Sequence, residues 1–317
     1  MISVIITCYN QAHFLGDAVE SVFAQSRSDI EIIVVDDGSA DNPSEVAHLY
    51  PEVRFIRQEN QGVAAARNTG IQNSSGSFIV FLDGDDRLLP HALEVGLSSL
   101  NAHPECAFAF GRCKLITSDG AHLLTQPKSR INGDYFNGDY YLDLLQDDCS
   151  IWMPAQVMYR RSVFESVAGF NKFLGNTNIS DASDLEFYFR IAKTFPIYCH
   201  DKVIAEWRQH ATNTSHNSAT MLRSVVTVYR AQWKHVKGNE HYEKVYKRML
   251  RYARTFYGEQ AVEKLRALVR EPNCYQQAIR YALVLLRYSP RVFATHANRK
   301  LQCALSRRVK GNSKRIR

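Results

Sequence analysis

The segment Phe78–Pro90, FIVFLDGDDRLLP, runs an apolar stretch with strand character straight into Asp83, Asp85 and Asp86 before a proline closes it. Carboxylates crowded at the end of a buried strand repel one another unless a cation neutralises them. Oxygen ligands of this kind suit Mg²⁺ or Mn²⁺, and such ions usually complete their shell with substrate phosphates. The plainer reading is a solvated acidic turn in which Asp86 caps the next helix.

Working outward, the N-terminal third alternates strand and helix signals. Ile2–Thr7 reads as a buried strand, Ala12–Ser26 as an amphipathic helix, and Ile30–Asp37 as a second buried strand. A turn and a helix with Pro43 near its start follow, then a third strand over Val53–Gln58, a helix in GVAAARNTGIQNS and the strand that ends in the aspartates. Continuous apolar strands separated by helices predict an α/β domain with a mostly parallel, Rossmann-like sheet covered on both faces. Ligands of such sheets sit beyond the carboxyl ends of the strands, which singles out Thr7 to Asn10, Asp36, Asp37 and Asp83 to Asp86. Further on, AFAFGRCKLITSDG resembles a hairpin, TQPKSRINGDYFNGD a polar loop, and SDLEFYFRIAKTF a helix with Ser183 as its cap. From Ala219 onward the signals are amphipathic helices only, ending in RRVKGNSKRIR. The expected division is an α/β domain over 1–218 and a basic helical region over 219–317.

Five stretches, TCYN, VVDDGS, NQGVAAARNTG, FLDGDD and SDLEFYFRIA, occur in the order and spacing of glycosyltransferase family 2. The sequence thus resembles the inverting nucleotide-sugar transferases of the GT-A fold over roughly residues 1 to 215. That resemblance implies roles. Asp83 and Asp85 match the family's DxD motif, with Asp85 on a Mn²⁺ or Mg²⁺ ion and Asp83 facing ribose or metal. Asp36 resembles the carboxylate that accepts the N3–H of uracil or thymine, and Thr7 and Tyr9 resemble the residues bordering the base. These features imply a UDP- or dTDP-sugar donor. Arg67 resembles the arginine near the nucleotide; as a plain surface residue it would instead pair with Asp36 or Asp37.

Asp184 matches the family's general base, although Ser183 stands where the pattern usually has glutamate. On its own it reads as an acidic residue favoured by the helix dipole. His210, in WRQH, resembles a histidine that reaches back to the metal or diphosphate, the alternative being an ordinary loop histidine. Trp152 could offer an aromatic platform to an acceptor sugar or equally serve the core. The acceptor implied is a glycan or lipid-linked hydroxyl in surface polysaccharide synthesis.

Charge divides the chain unevenly. Residues 1–220 hold 16 Lys+Arg against 27 Asp+Glu, and residues 221–317 hold 23 against 5. The basic part suggests an anionic partner, either membrane or nucleic acid. CYQQAIRYALVLLRYSPRVF suits a helix lying at a membrane interface, the alternative being a bundle with a solvated basic face. The seven widely spaced cysteines predict free thiols. With no signal peptide and no membrane-spanning window, a cytoplasmic chain, peripheral on the membrane at most, is expected. Two rival functions draw on the same features: a nucleotidyltransferase, which usually opens with a glycine-rich basic loop that ISVIITCYNQ does not provide, and a nucleic-acid-binding protein resting on the basic region.

Overall fold

The computed structural model describes residues 1–125, 138–146, 151–213 and 216–298. The chain forms two compact units, Met1–Asn213 and Thr214–Arg317. The polar loop read at 125–139 lies almost entirely outside the described residues, as does RRVKGNSKRIR.

In the first unit, β1 (Ile2–Cys8) is buried along its whole length. It lies parallel to β2 (Ile30–Asp36) on one side and β4 (Phe78–Asp83) on the other, and β3 (Val53–Arg57) runs parallel to β2. Register places Thr7 beside both Val35 and Asp83, and Cys8 beside Asp36, so these strands end together. The sheet is mostly parallel, as expected, with a reversed strand in its middle. β7 (Val157–Arg160) pairs antiparallel with both β4 and β6 (Phe108–Thr117), and β10 (Tyr198–Gln209) runs parallel to β6. Two reversals restore the original direction, so β10 finishes at the same edge as β1, β2 and β4. The two-residue β5 (Arg87–Leu88) closes the order β3-β2-β1-β4-β7-β6-β10-β5.

Helices cover both faces, as continuous apolar strands require. On one face α1 (Ala12–Phe23) buries Leu15, Ala18 and Val19 against β1, and α4 (Ala92–Ala102) buries Leu93 and Leu100 against β6, β7 and β10. The other face carries α3 (Val63–Gln72), α6 (Arg161–Val167) and α7 (Ser183–Ala192). An aromatic cluster fixes α7 there. Phe187 lies 4.6 Å from Phe170 and 5.2 Å from Phe164, ring centre to ring centre, and Phe170 meets Phe81 edge-on at 5.0 Å. The short helices α2 (Pro43–Ala47) and α5 (Tyr140–Leu145) complete this unit, with a two-stranded ribbon of β8 (Phe173–Leu174) and β9 (Thr177–Asn178).

Two local expectations are corrected. The stretch expected to form a hairpin is one ten-residue strand, β6, followed by a turn with a single bridge from Ile116 to His122. Gly111 is not a turn residue: a Cβ there would lie 2.2 Å from the His200 ring, so this glycine serves close packing inside the sheet. Ser183 does not cap α7. Its hydroxyl donates to the Ser180 carbonyl and Ala182 occupies the cap position.

The second unit contains α8 (Ser218–Val236), α9 (Glu240–Leu268) and α10 (Tyr275–Tyr288). Leu222, Val226, Ala261, Val262, Tyr281 and Leu285 form its core. Four of the five described cysteines, Cys8, Cys106, Cys113 and Cys199, are buried free thiols, and Cys274 is half-buried.

Candidate active site

The acidic strand end is folded inward. Gly84 donates its N–H to the Thr7 carbonyl at 2.9 Å, and a Cβ at this glycine would stand 3.2 Å from that oxygen. Glycine therefore lets the aspartate turn close against β1. Asp83 accepts from the Thr7 hydroxyl and from Arg67, each at 3.1 Å. Asp85 is nearly buried, and one of its oxygens, Oδ2, meets both Gln11 Nε2 at 2.7 Å and His210 Nε2 at 2.9 Å. Burial, and next the charge of Asp83, raises the Asp85 carboxyl above the usual aspartate range, while His210 opposes the shift. Asp86 is pushed further up, first by burial and then by its two acidic neighbours.

Asp86 does not cap α4. It accepts the backbone N–H of Arg208 at 2.9 Å, across to β10. Arg208 is itself only 1% exposed. Its guanidinium donates to the Asp85 carbonyl at 2.7 Å, the Ser118 carbonyl at 2.8 Å and Asp17 at 2.6 Å, and it lies over the Phe14 ring. This clamp joins the aspartate turn to the end of β10. Two residues later His210 is held by a tight turn: Asn213 accepts its backbone N–H, and the Thr212 hydroxyl lies 2.8 Å from Nδ1. A hydroxyl both donates and accepts, so Thr212 can support either tautomer of the ring.

Arg67, on α3, is buried and lies over the Phe170 ring. Its partner is Asp83, neither Asp36 nor Asp37. Burial works against its charge, but Asp83 and then Asp184 outweigh it and hold the guanidinium above its usual range. Asp184 sits in the first turn of α7, partly buried, and one of its oxygens accepts the Leu185 N–H. Burial raises its carboxyl above the ordinary range against the pull of Arg67. A raised carboxyl is a stronger base once ionised.

At the end of β2, Asp36 is fully buried, and its two oxygens accept from the Ser39 N–H at 2.8 Å and Arg57 at 2.7 Å. Asp37 accepts the N–H groups of Gln61 and Gly62 and so orders the start of α3, which carries Arg67. Tyr9 stands exposed beyond β1. The Trp152 side chain is 42% exposed, and its backbone N–H is held by Gln156.

The structure thus brings Asp85 to His210, and Thr7, Asp83 and Arg67 to one another, with Asp184 acting on Arg67 from α7. It adds Gln11, Arg208, Thr212 and Asn213, which sequence reasoning did not single out. Gln11 was within reach, since it directly follows TCYN, and Arg208 stands inside WRQH. Among the described residues no three His, Cys, Asp or Glu side chains form a ready-made metal cage. Asp85 and His210, in hydrogen-bond contact at 2.9 Å, offer a carboxylate oxygen and an imidazole nitrogen, donor types that suit Mn²⁺ and, for the oxygen, Mg²⁺.

The family model described as "Glycosyl transferase family 2" matches residues 3–168, about half of the chain. The chain belongs to glycosyltransferase family 2. An uncharacterized glycosyltransferase of Rickettsia conorii is 32% identical over 223 residues, covering 68% of this chain and 35% of that protein. One from Rickettsia felis is 30% identical over 217 residues, covering 67% and 34%. The matched part of the chain spans about a third of the length of these relatives.

Among solved structures, residues 1–349 of Staphylococcus aureus TarS in complex with UDP superpose with a TM-score of 0.64 at 16% identity, over 92% of this chain and 82% of that one. The mannosyltransferase PcManGT of Pyrobaculum calidifontis, in complex with GDP-Man and Mn²⁺, gives 0.58 at 16% identity, over 96% and 80%. Likeness at this identity establishes the fold, which is of the GT-A type. In this glycosyltransferase family 2 chain, the edge where β1, β2, β4 and β10 end carries Thr7, Asp36, Asp83, Asp85 and His210.

Proposed function

We propose that this chain transfers a sugar from a UDP- or dTDP-sugar to a hydroxyl of a glycan or lipid-linked acceptor, with inversion, in the assembly of a surface polysaccharide. The observation that carries the reading is the buried Arg67, which is hydrogen-bonded to Asp83 in the aspartate turn and lies near enough to Asp184 for their charges to attract. A base is thereby held against the edge where the donor diphosphate would lie. Asp184 takes the proton of the acceptor hydroxyl, whose oxygen attacks the anomeric carbon as the bond to the diphosphate breaks. Arg67 holds Asp83 and stabilises ionised Asp184. Asp85 and His210 would hold Mn²⁺ or Mg²⁺, which when bound neutralises the diphosphate charge.

Thr7 and Tyr9 border the base in this reading. Asp36 reaches the base N3–H only if Arg57 yields, and the Arg57 side chain is half-exposed. A uracil donor is in keeping with the UDP held by the TarS neighbour. Trp152 offers a ring face on the acceptor side. An acceptor on a lipid carrier is met at a membrane surface, and the basic helical unit would bring the enzyme there.

Calorimetric titration with UDP, dTDP, GDP, ADP and CDP, first with Mn²⁺ and then with EDTA, tests the proposal. Binding of UDP or dTDP that disappears with EDTA is expected. A preference for GDP would move the donor to another class, and silence with all five nucleotides would sink the reading.

A further inference from the structure

Helix α10 has two apolar faces. Ala278, Tyr281, Leu285 and Tyr288 are buried in the helical core. On another side Tyr275, Ile279, Leu283 and Leu286 are 67%, 59%, 60% and 51% exposed. At about 100° per residue these four fall within a stripe about 80° wide, and Arg280 and Arg287 project beside it. Both arginines are exposed. A contiguous exposed patch of large aliphatic side chains marks an interaction surface rather than ordinary solvated helix.

Length and charge select the partner. The helix has 14 residues, so it is about 21 Å long and too short for the roughly 30 Å hydrocarbon core of a bilayer. No described helix is long and apolar enough to cross a membrane. From Pro272 to Arg317 the sequence contains 11 Lys+Arg and no Asp or Glu. A second copy docking through the same face by two-fold symmetry would bring the Arg280 and Arg287 flanks of the two stripes together, with no Asp or Glu on α10 to offset them. A nucleic acid would meet the arginines but leave the aliphatic stripe in water. An anionic lipid surface satisfies both, since acyl chains take the stripe and headgroup phosphates take the arginines.

We infer that α10 is an interfacial helix that seats this chain on an anionic bilayer, with Tyr275, Ile279, Leu283 and Leu286 in the headgroup–acyl boundary and Arg280 and Arg287 on lipid phosphates. The inference deepens the membrane attachment proposed above and holds for any donor nucleotide or acceptor. An apolar stripe with a cationic flank gives both depth and charge selectivity, where a basic surface alone gives only the second.

The test is flotation of the full chain with vesicles of phosphatidylcholine alone and with about one-third phosphatidylglycerol. The protein should float with the mixed vesicles and remain behind with the neutral ones. The double variant Ile279→Glu/Leu283→Glu should lose about tenfold or more in partitioning, since it removes apolar burial and adds two charges the leaflet repels. Ile279→Leu/Leu283→Ile should partition like the parent. Both positions are exposed, so unchanged melting temperatures should accompany these effects. Undiminished flotation of the charged variant would assign binding to the basic sequence alone and overturn the role of α10. Absence of flotation by the parent would overturn it too, as would a parent dimer that the charged variant converts to monomer in light scattering. Nucleotide calorimetry on the same samples reads the transferase proposal separately, because these substitutions lie outside the donor site.

Discussion

The two halves of the central sheet contribute to the site in different ways. The half made of β1 to β4 is parallel, in the order β3-β2-β1-β4, and brings Thr7, Asp36 and Asp83 to one edge through register alone. The half made of β6, β7 and β10 includes a reversed strand and reaches the same edge only after two changes of direction. In the proposed function the first half would build a surface for a nucleotide, whereas the second delivers the groups that complete it: His210 against Asp85, Arg208 on the aspartate turn and, from the helix before β10, Asp184. A donor-binding surface can thus be local in sequence while the acceptor and closing groups are not.

Separating the two halves functionally gives the largest effect. Asp184→Ala should lower kcat by about 10²–10⁴ while leaving UDP affinity within about twofold, because only the base is removed. Equal loss of UDP binding in Asp184→Ala and Asp85→Ala would erase the distinction. The pH profile sharpens it. Asp184 must be ionised to act, so kcat/KM should fall as pH drops through its carboxyl pKa. Burial raises that value, which places the acid limb above the ordinary aspartate pKa of about 3.9.

Thr212→Val leaves His210 in place and removes its Nδ1 partner. It should weaken Mn²⁺ binding by about tenfold, measured by calorimetry with UDP present. Arg208→Met tests the tie between the halves. It strips donors from two carbonyls and should cost about 1–3 kcal/mol of stability in urea melts, and the contact with Asp17 adds little because that carboxylate is half in water.

The smallest effect belongs to Asp86. Its folded-state pKa is raised, so the stability it contributes is present at low pH and is lost as pH rises through that value. Asp86→Asn keeps an acceptor for Arg208 and removes the repulsion. Without added metal, it should raise the neutral-pH Tm by about 2–4 °C per kcal/mol released.

The ease of reading the sequence follows the same division. Buried parallel strands announce themselves as apolar runs, so β1 to β4 and the carboxylates at their ends were legible, as was the helical character after residue 218. AFAFGRCKLITSDG is one strand and a turn rather than a hairpin, and its Gly111 is required by the neighbouring His200 ring. The reversal at β7 left no periodic signal in four residues. Resemblance singled out Asp184 and His210, but their partners arise from contacts over more than a hundred residues. The pairing of Asp85 with His210 spans 125 positions and cannot be inferred from spacing. Asp36 shows the converse: its position was evident, yet its engagement with Arg57 and Ser39 was not.

The Arg208 clamp also bears on how the protein is made. Asp86 and the Asp85 carbonyl receive their partners from a residue 122 and 123 positions downstream. Until that residue leaves the ribosome, the first four strands can pair but their acidic corner lacks its neutralising arginine and its β10 amide. A chain that stopped before Arg208 would therefore lack the donors that the aspartate turn receives from β10. The clamp makes the donor surface a late product of synthesis, completed only when the whole first unit is present.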